Sequence, residues 1–260
     1  MTVLDKLADF ARQRVEASKR RVPMSAMRLE ALDMPKGDFP FTAALAKDGL
    51  SFICECKKAS PSKGLIAPEF PYLRIAEEYE EAGADCVSVL TEPEMFLGSD
   101  MYLRDIARRV SIPCLRKDFV VDEYMLYEAK ALGAAAALLI CSILDDAQLR
   151  DYGDICAGLG LSALVEAHDE EEIERALKSG AKIVGVNNRN LKDFSVDTGN
   201  SRRLRSLVPG GVLFVSESGV KTAEDCAEAA AMGADAVLVG ETLMRAGDKK
   251  AKLAELRSLL

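Results

Sequence analysis

Glu55 and Lys57 close the run 51–57 (SFICECK), where a buried strand would otherwise be apolar. Side chains of a strand alternate between its faces, so this acid and this base share one side. The arrangement recurs along the chain. Lys117 shares a face with Leu115 and Phe119, Glu166 with Leu164, Asn187 with Ile183 and Gly185, and Glu217 with Val215. Thr91, Glu92, Asp118, Arg189 and Ser218 stand at the ends of similar runs. Lysines and carboxylates so placed suit general acid–base work on a bound substrate. The chain has one histidine, His168, so lysine and glutamate must carry any such proton traffic. Taken singly, Glu55–Lys57 reads equally as a structural ion pair, and Lys117 as a surface lysine with its stem on apolar ground. Taken together the groups point to a site. Removing ions from water is costly, and a fold built for stability alone would carry apolar side chains at these positions.

Positioning such groups requires strands that end at one place. Eight apolar, β-branched runs recur, at 51–57, 84–91, 113–119, 134–141, 161–167, 182–188, 211–218 and 235–241. Charged, alanine-rich segments with helical spacing lie between them, such as DEYMLYEAKALG and DEEEIERALKSG. Several end in glycine, a common helix C-cap, and some open on Asp or Thr at the N-cap. The phrase helix–Gly-Ala–strand returns at Gly83, Gly133, Gly180 and Gly233, about every 50 residues, which is two strand–helix units per interval. This predicts an α/β protein with a single (β/α)8 TIM barrel over residues 1–260. Residues 1–50 form a helical extension, with an amphipathic helix over 3–21 laid across one end of the barrel. The competing reading is a doubly wound open sheet, but no G-x-G-x-x-G follows the first strand.

In a barrel the strand C-termini form the active mouth, and phosphate commonly sits after strands seven and eight. Those loops read Ser218-Gly219-Val220 and Gly240-Glu241-Thr242, with glycine beside free backbone N–H groups. Ser60 and Lys63 in the first loop are within reach of the same anion. Two ordinary glycine turns are the plain alternative.

Composition narrows the function classes. Net charge is −8 with no long basic run, which argues against nucleic acid as a partner. No apolar run is long enough for a membrane span, and the charged N-terminus does not read as a secretory signal. Seven cysteines without a C-x-x-C pair, mostly in apolar runs, read as small buried hydrophobes of a reducing cytoplasm. With one histidine, a metal site is not expected; no cofactor and no obligatory protein partner are expected either. His168 is assigned a supporting role in the loop after Glu166.

The string FICECKKASPSKG resembles the signature of the indole-3-glycerol phosphate synthase family, and SVLTE, LRKDFVVD, VEAHDEEE, GVNNRNL, VSESGV and VGETLMR follow in the same order. The similarity spans residues 40 to 246. It implies a metal-free, cofactor-free barrel of tryptophan biosynthesis acting on a small phosphorylated substrate, 1-(2-carboxyphenylamino)-1-deoxyribulose 5-phosphate. Ring closure, decarboxylation and dehydration would give indole-3-glycerol phosphate. By matching motif, Lys117 resembles the general acid on the substrate ketone, and Lys57 the lysine near the substrate carboxylate. Glu166 resembles the glutamate that stabilises the cationic intermediate and takes part in dehydration. Glu55 and Asn187 match residues that hold the lysines or the sugar hydroxyls. Arg189, Glu217 and Leu191 resemble pocket residues, with Phe96, Phe119 and Pro61 flanking the aromatic ring. Ser60, Ser218, Gly219 and Gly240 resemble the phosphate clamp. Many members carry Ser where this chain has Glu241, so Glu241 is expected to turn its carboxylate outward and to offer its backbone N–H alone. Two other readings stay open: a lysine Schiff-base aldolase on the same barrel, and a non-catalytic sugar-phosphate binder.

Overall fold

The computed structural model describes residues 2–190 and 194–260. Three helices precede the first strand: α1 (Val3–Arg21), α2 (Met24–Asp33) and α3 (Pro40–Leu45). Eight barrel strands then follow among the described residues. They are β1 (Ser51–Cys56), β2 (Cys86–Leu90), β3 (Cys114–Lys117), β4 (Ala136–Ile140), β5 (Ser162–Ala167), β6 (Ile183–Asn187), β7 (Leu213–Glu217) and β8 (Ala236–Val239). The helices between and after them are α4 (Tyr72–Glu81), α5 (Asp100–Arg109), α6 (Tyr124–Ala131), α7 (Asp146–Leu159), α8 (Glu170–Lys178), α9 (Gly199–Arg205), α10 (Ala223–Ala231), α11 (Glu241–Arg245) and α12 (Lys249–Leu256). Every strand pairs in parallel with the next, and β1 also pairs with β8 through Ser51 and Ala236. The sheet therefore closes, which excludes the open doubly wound alternative.

Both faces of the strands are buried, which is why the runs read as nearly continuous apolar stretches. Alternate residues divide two cores. Phe52, Cys54, Cys56, Val87 and Val89 pack outward against the helices. Ile53, Cys86, Leu115, Leu138, Leu164, Ile183, Val215 and Leu238 fill the interior. The cysteines are all buried and unpaired, and burial pushes the Cys54 and Cys56 thiols well above their ordinary range.

The N-terminal segment closes both ends. At the bottom, Phe41 and Leu45 of α3 are fully buried against the interior core. Their helix is pinned to strand starts by Thr42 Oγ1 to Ser162 Oγ (2.7 Å) and by Ser51 Oγ donating to Ala44 O (3.1 Å). At the mouth lies α1, which begins with a capping box between Thr2 and Asp5. Its apolar stripe places Leu7 and Ala11 on the interior core, and two ion pairs of 2.7 Å, Arg14–Asp118 and Lys19–Asp122, tie it beyond β3.

Candidate active site

Under α1 a cavity of about 520 Å3 opens at the C-terminal ends of the strands, a volume suited to a small ligand. Of the candidate residues named from the sequence, the catalytic, substrate and phosphate candidates line it except Leu191, which lies outside the described residues; Thr91, Glu92 and His168 do not line it.

The charged centre is built from four strands. Lys117 ends β3 and places its Nζ 3.3 Å from Glu166 Oε2 on β5 and 3.6 Å from Glu217 Oε2 on β7. Both carboxylates are buried to within 2% of full exclusion from solvent. On β1, Glu55 is equally buried and forms an ion pair with Lys57. Two glycines make room for these groups. A Cβ at Gly185 would collide with Glu217 Oε1 and lie 3.1 Å from Leu164 Cδ1, and one at Gly240 would collide with Glu55 Oε2.

Burial works against charge on Lys117, but Glu166, Glu217 and Glu55 outweigh it, and the ammonium is held charged beyond its ordinary range. The two carboxylates beside it separate. Burial would raise Glu166, yet Lys117 and then His168 bring it below its ordinary value. Glu217 goes the other way: burial first, and the charge of Glu166 second, push it up to about 8 against the pull of Lys117. The surroundings thus favour the ionised form at Glu166 and the protonated form at Glu217.

The walls differ in character. Phe96 and Phe119 form an apolar side with ring centroids 6.0 Å apart. Glu92 supports it by accepting hydrogen bonds from the backbone N–H groups of Glu94, Met95 and Phe96 at 2.8–3.0 Å. Asn187 ends β6 and accepts the Arg189 N–H at 3.0 Å, while the Arg189 guanidinium donates to Phe194 O at 3.1 Å. Ser60 and Pro61 come from the loop after β1, where Ala59–Ser60 and Gly64–Leu65 pair as a short hairpin.

The loops after β7 and β8 form one corner. Ser218 and Gly219 both have left-handed backbones, with φ of 68° and 99°. A Cβ at Gly219 would come within 2.7 Å of Thr198 Cγ2, so this turn needs glycine on both counts. Asn188 braces it, donating to Ser218 O at 3.1 Å and to Ser216 Oγ at 3.2 Å while accepting from Ser201. Thr242 Oγ1 donates to Val220 O at 2.7 Å and joins the two loops. Glu241 pairs with Arg245 at 3.0 Å and approaches Lys63 at 3.8 Å. Its carboxylate thus occupies two cations of the cavity rim.

Sequence reasoning missed several structural supports. Asp118 reads as a mouth acid, yet its carboxylate is spent on Arg14, on Thr91 and, at 3.7 Å, on Arg116. Arg116 is fully buried and bonds Asp100 and Glu128 at 2.7 Å each, joining β3 to α5 and α6. Its position between Leu115 and Lys117 is the only trace of its outward direction in the sequence. Asn188 gave no signal beyond standing next to Asn187.

The Indole-3-glycerol phosphate synthase family model matches residues 4–256. The indole-3-glycerol phosphate synthase of Ruminiclostridium cellulolyticum is 56% identical, covering 98% of each chain. That of Endomicrobium trichonymphae is 52% identical over 98% of this chain and 99% of its own. The chain belongs to the indole-3-glycerol phosphate synthase family. Among solved structures, a 3-hexulose-6-phosphate synthase superposes with a TM-score of 0.63 at 16% identity, covering 81% of this chain and 100% of its own; that likeness concerns the fold alone.

Proposed function

We propose that the chain closes the indole ring of 1-(2-carboxyphenylamino)-1-deoxyribulose 5-phosphate, releasing CO2 and water and giving indole-3-glycerol phosphate for tryptophan biosynthesis. The observation that carries this reading is a half-buried, charged lysine, Lys117, flanked by the buried carboxylates Glu166 and Glu217 at the barrel mouth, in a member of that family.

In this reading the substrate ketone faces Lys117. As the aryl carbon bonds to the carbonyl carbon, Lys117 gives the developing alkoxide its proton, a donation its charged state allows. The new ring is cationic, and the ionised Glu166 stabilises that charge. Loss of CO2 returns an electron pair to the ring. Loss of the hydroxyl as water then needs one proton donated, by Lys117 after it has regained a proton from water, and one removed, by Glu166. Lys57, held by Glu55, meets the substrate carboxylate before it leaves as CO2. Asn187 and Arg189 line the sugar path, and Glu217 enters as a neutral acid able to donate a hydrogen bond. Phe96, Phe119 and Pro61 flank the aromatic ring. Ser60, the Ser218-Gly219 turn, Gly240 and the Glu241 backbone hold the phosphate, with Lys63 released from Glu241 as the anion arrives.

A Schiff-base lysine must lose its proton before it attacks, and the carboxylates around Lys117 oppose that loss, so the aldolase reading is the weaker one. No described helix is long and apolar enough to cross a membrane. Buried, unpaired cysteines support work in a reducing cytoplasm. The test is direct. Purified protein mixed with the carboxyphenylamino-deoxyribulose phosphate should release CO2 and develop indole fluorescence; absence of both under saturating substrate refutes the reading.

A further inference from the structure

His168 stands between the cavity and a second, more polar cleft of about 730 Å3, whose wall it shares with Glu172 and Arg175. Its side chain is fixed by its surroundings. Glu172, on the first turn of α8, accepts the His168 backbone N–H at 2.8 Å and faces its Nδ1 at 3.1 Å. The His168 carbonyl accepts from Asn200 Nδ2 at 3.1 Å. Ser142 Oγ, 3.5 Å from Nδ1, donates to the other oxygen of Glu172 at 2.6 Å. The remaining nitrogen, Nε2, is buried without a hydrogen-bond partner among the described residues and faces Glu166 Oε1 at 3.6 Å.

Both ring nitrogens thus face carboxylate oxygens. An ionised carboxylate only accepts hydrogen bonds, so a neutral imidazole would turn a lone pair toward one of them. The imidazolium turns an N–H toward each. We propose that His168 is a positioning residue: as an imidazolium anchored by Glu172, it fixes the negative charge of the buried carboxylate pair on Glu166 and leaves the shared proton on Glu217. The proposal rests on the role assigned to Glu166 above.

The groups around His168 are consistent with this. Burial lowers its proton affinity, but the Glu172 hydrogen bond and the charges of Glu166 and Glu172 outweigh burial and raise it above the ordinary histidine value. Arg175 is the opposing charge on that wall, and its guanidinium is engaged by Asp146 and by the Cys141 and Leu144 carbonyls. Lys117 meets the other oxygen of Glu166, so Glu166 has a cation at each oxygen, whereas Glu217 has Lys117 alone beside the carboxylates of Glu166 and Glu55.

The experiment is the pH dependence of the single-turnover rate of ring closure in the wild type, His168→Gln and Glu172→Gln. Removing the cation raises the proton affinity of Glu166. The acidic limb should therefore move to higher pH in His168→Gln, by about one unit, which is a tenfold lower rate at a pH on that limb and little change on the plateau. Glu172→Gln, which loosens the imidazolium without touching Glu166, should move the limb in the same direction. A purely structural role would lower the rate at every pH without moving the limb. An unmoved limb in His168→Gln overturns the proposal; should that variant fail to fold, an unmoved limb in Glu172→Gln overturns it instead. If the wild type makes no indole product, the proposed function fails; if it does and the limb stays, only the role of His168 fails.

Discussion

Gly185→Ala tests whether the carboxylate geometry depends on an empty Cβ position. Gly185 points into the barrel from β6, and its Cβ would overlap Glu217 Oε1 and touch Leu164 Cδ1 at 3.1 Å. Its φ is not left-handed, so alanine brings no backbone strain there, and the cost is steric. Overpacking a tight interior by one methyl costs about 1–3 kcal/mol. In a chain of this size that lowers Tm by roughly 2–4 °C per kcal/mol. Pushing Glu217 away from Lys117 should also cut turnover on the order of tenfold or more, since misplacement by about 1 Å in an active site can cost up to about a hundredfold. The assay is a double-mutant cycle with Glu217→Ala, read by urea unfolding. Without the Glu217 carboxylate only the Leu164 contact opposes the methyl, so the cost of Gly185→Ala should fall below about 1 kcal/mol. Equal costs in the two backgrounds would refute the claim that Gly185 exists to seat Glu217.

Glu166→Gln keeps shape but removes charge, so kcat should fall far more than KM rises, because the cation it stabilises forms after binding; a change in KM alone would make it a binding residue. Glu241→Ser releases Arg245 and Lys63 and removes an anion from the rim, so substrate Kd should be unchanged or tighter; weaker binding would show that the Glu241 carboxylate supports the clamp. Glu217 is raised from its ordinary 4.5 to about 8, so its contribution to stability is full below about pH 4.5 and is lost as pH rises to about 8. Urea midpoints of Glu217→Gln relative to wild type should accordingly rise between pH 5 and 8, and a flat difference would place the proton elsewhere.

The barrel was legible because its pattern is redundant. β-Branched runs and the recurring Gly-Ala before strands mark each unit independently, and the helix over 3–21 reads from its apolar stripe. The candidate site was legible where period two applies: Lys117, Asn187 and Glu217 are the last residues of their strands and Glu166 the last but one, each on the face that alternation assigns to it. Alternation says nothing once the chain leaves the strand. Asp118 is one residue past β3, and its partners Arg14 and Thr91 come from elements that only folding brings together. Arg116 lies within the strand, but a buried arginine is affordable only with the acids that α5 and α6 supply. The plug formed by Phe41 and Leu45 went unread because α3 is too short for a helical period to show. Gly185 was visible as sharing a face with Ile183 and Asn187, and Gly240 as the residue that ends the last run, but their purpose depends on the side chains of neighbouring strands.

The central claim is that Lys117 protonates the ketone during ring closure. The most direct measurement is single-turnover formation of indole-3-glycerol phosphate by wild type and Lys117→Met, together with substrate Kd for each. The account predicts product from the wild type, a rate lower by about 10²–10⁴ in the variant, and a Kd within about tenfold of wild type. A variant that forms product at near the wild-type rate would contradict it.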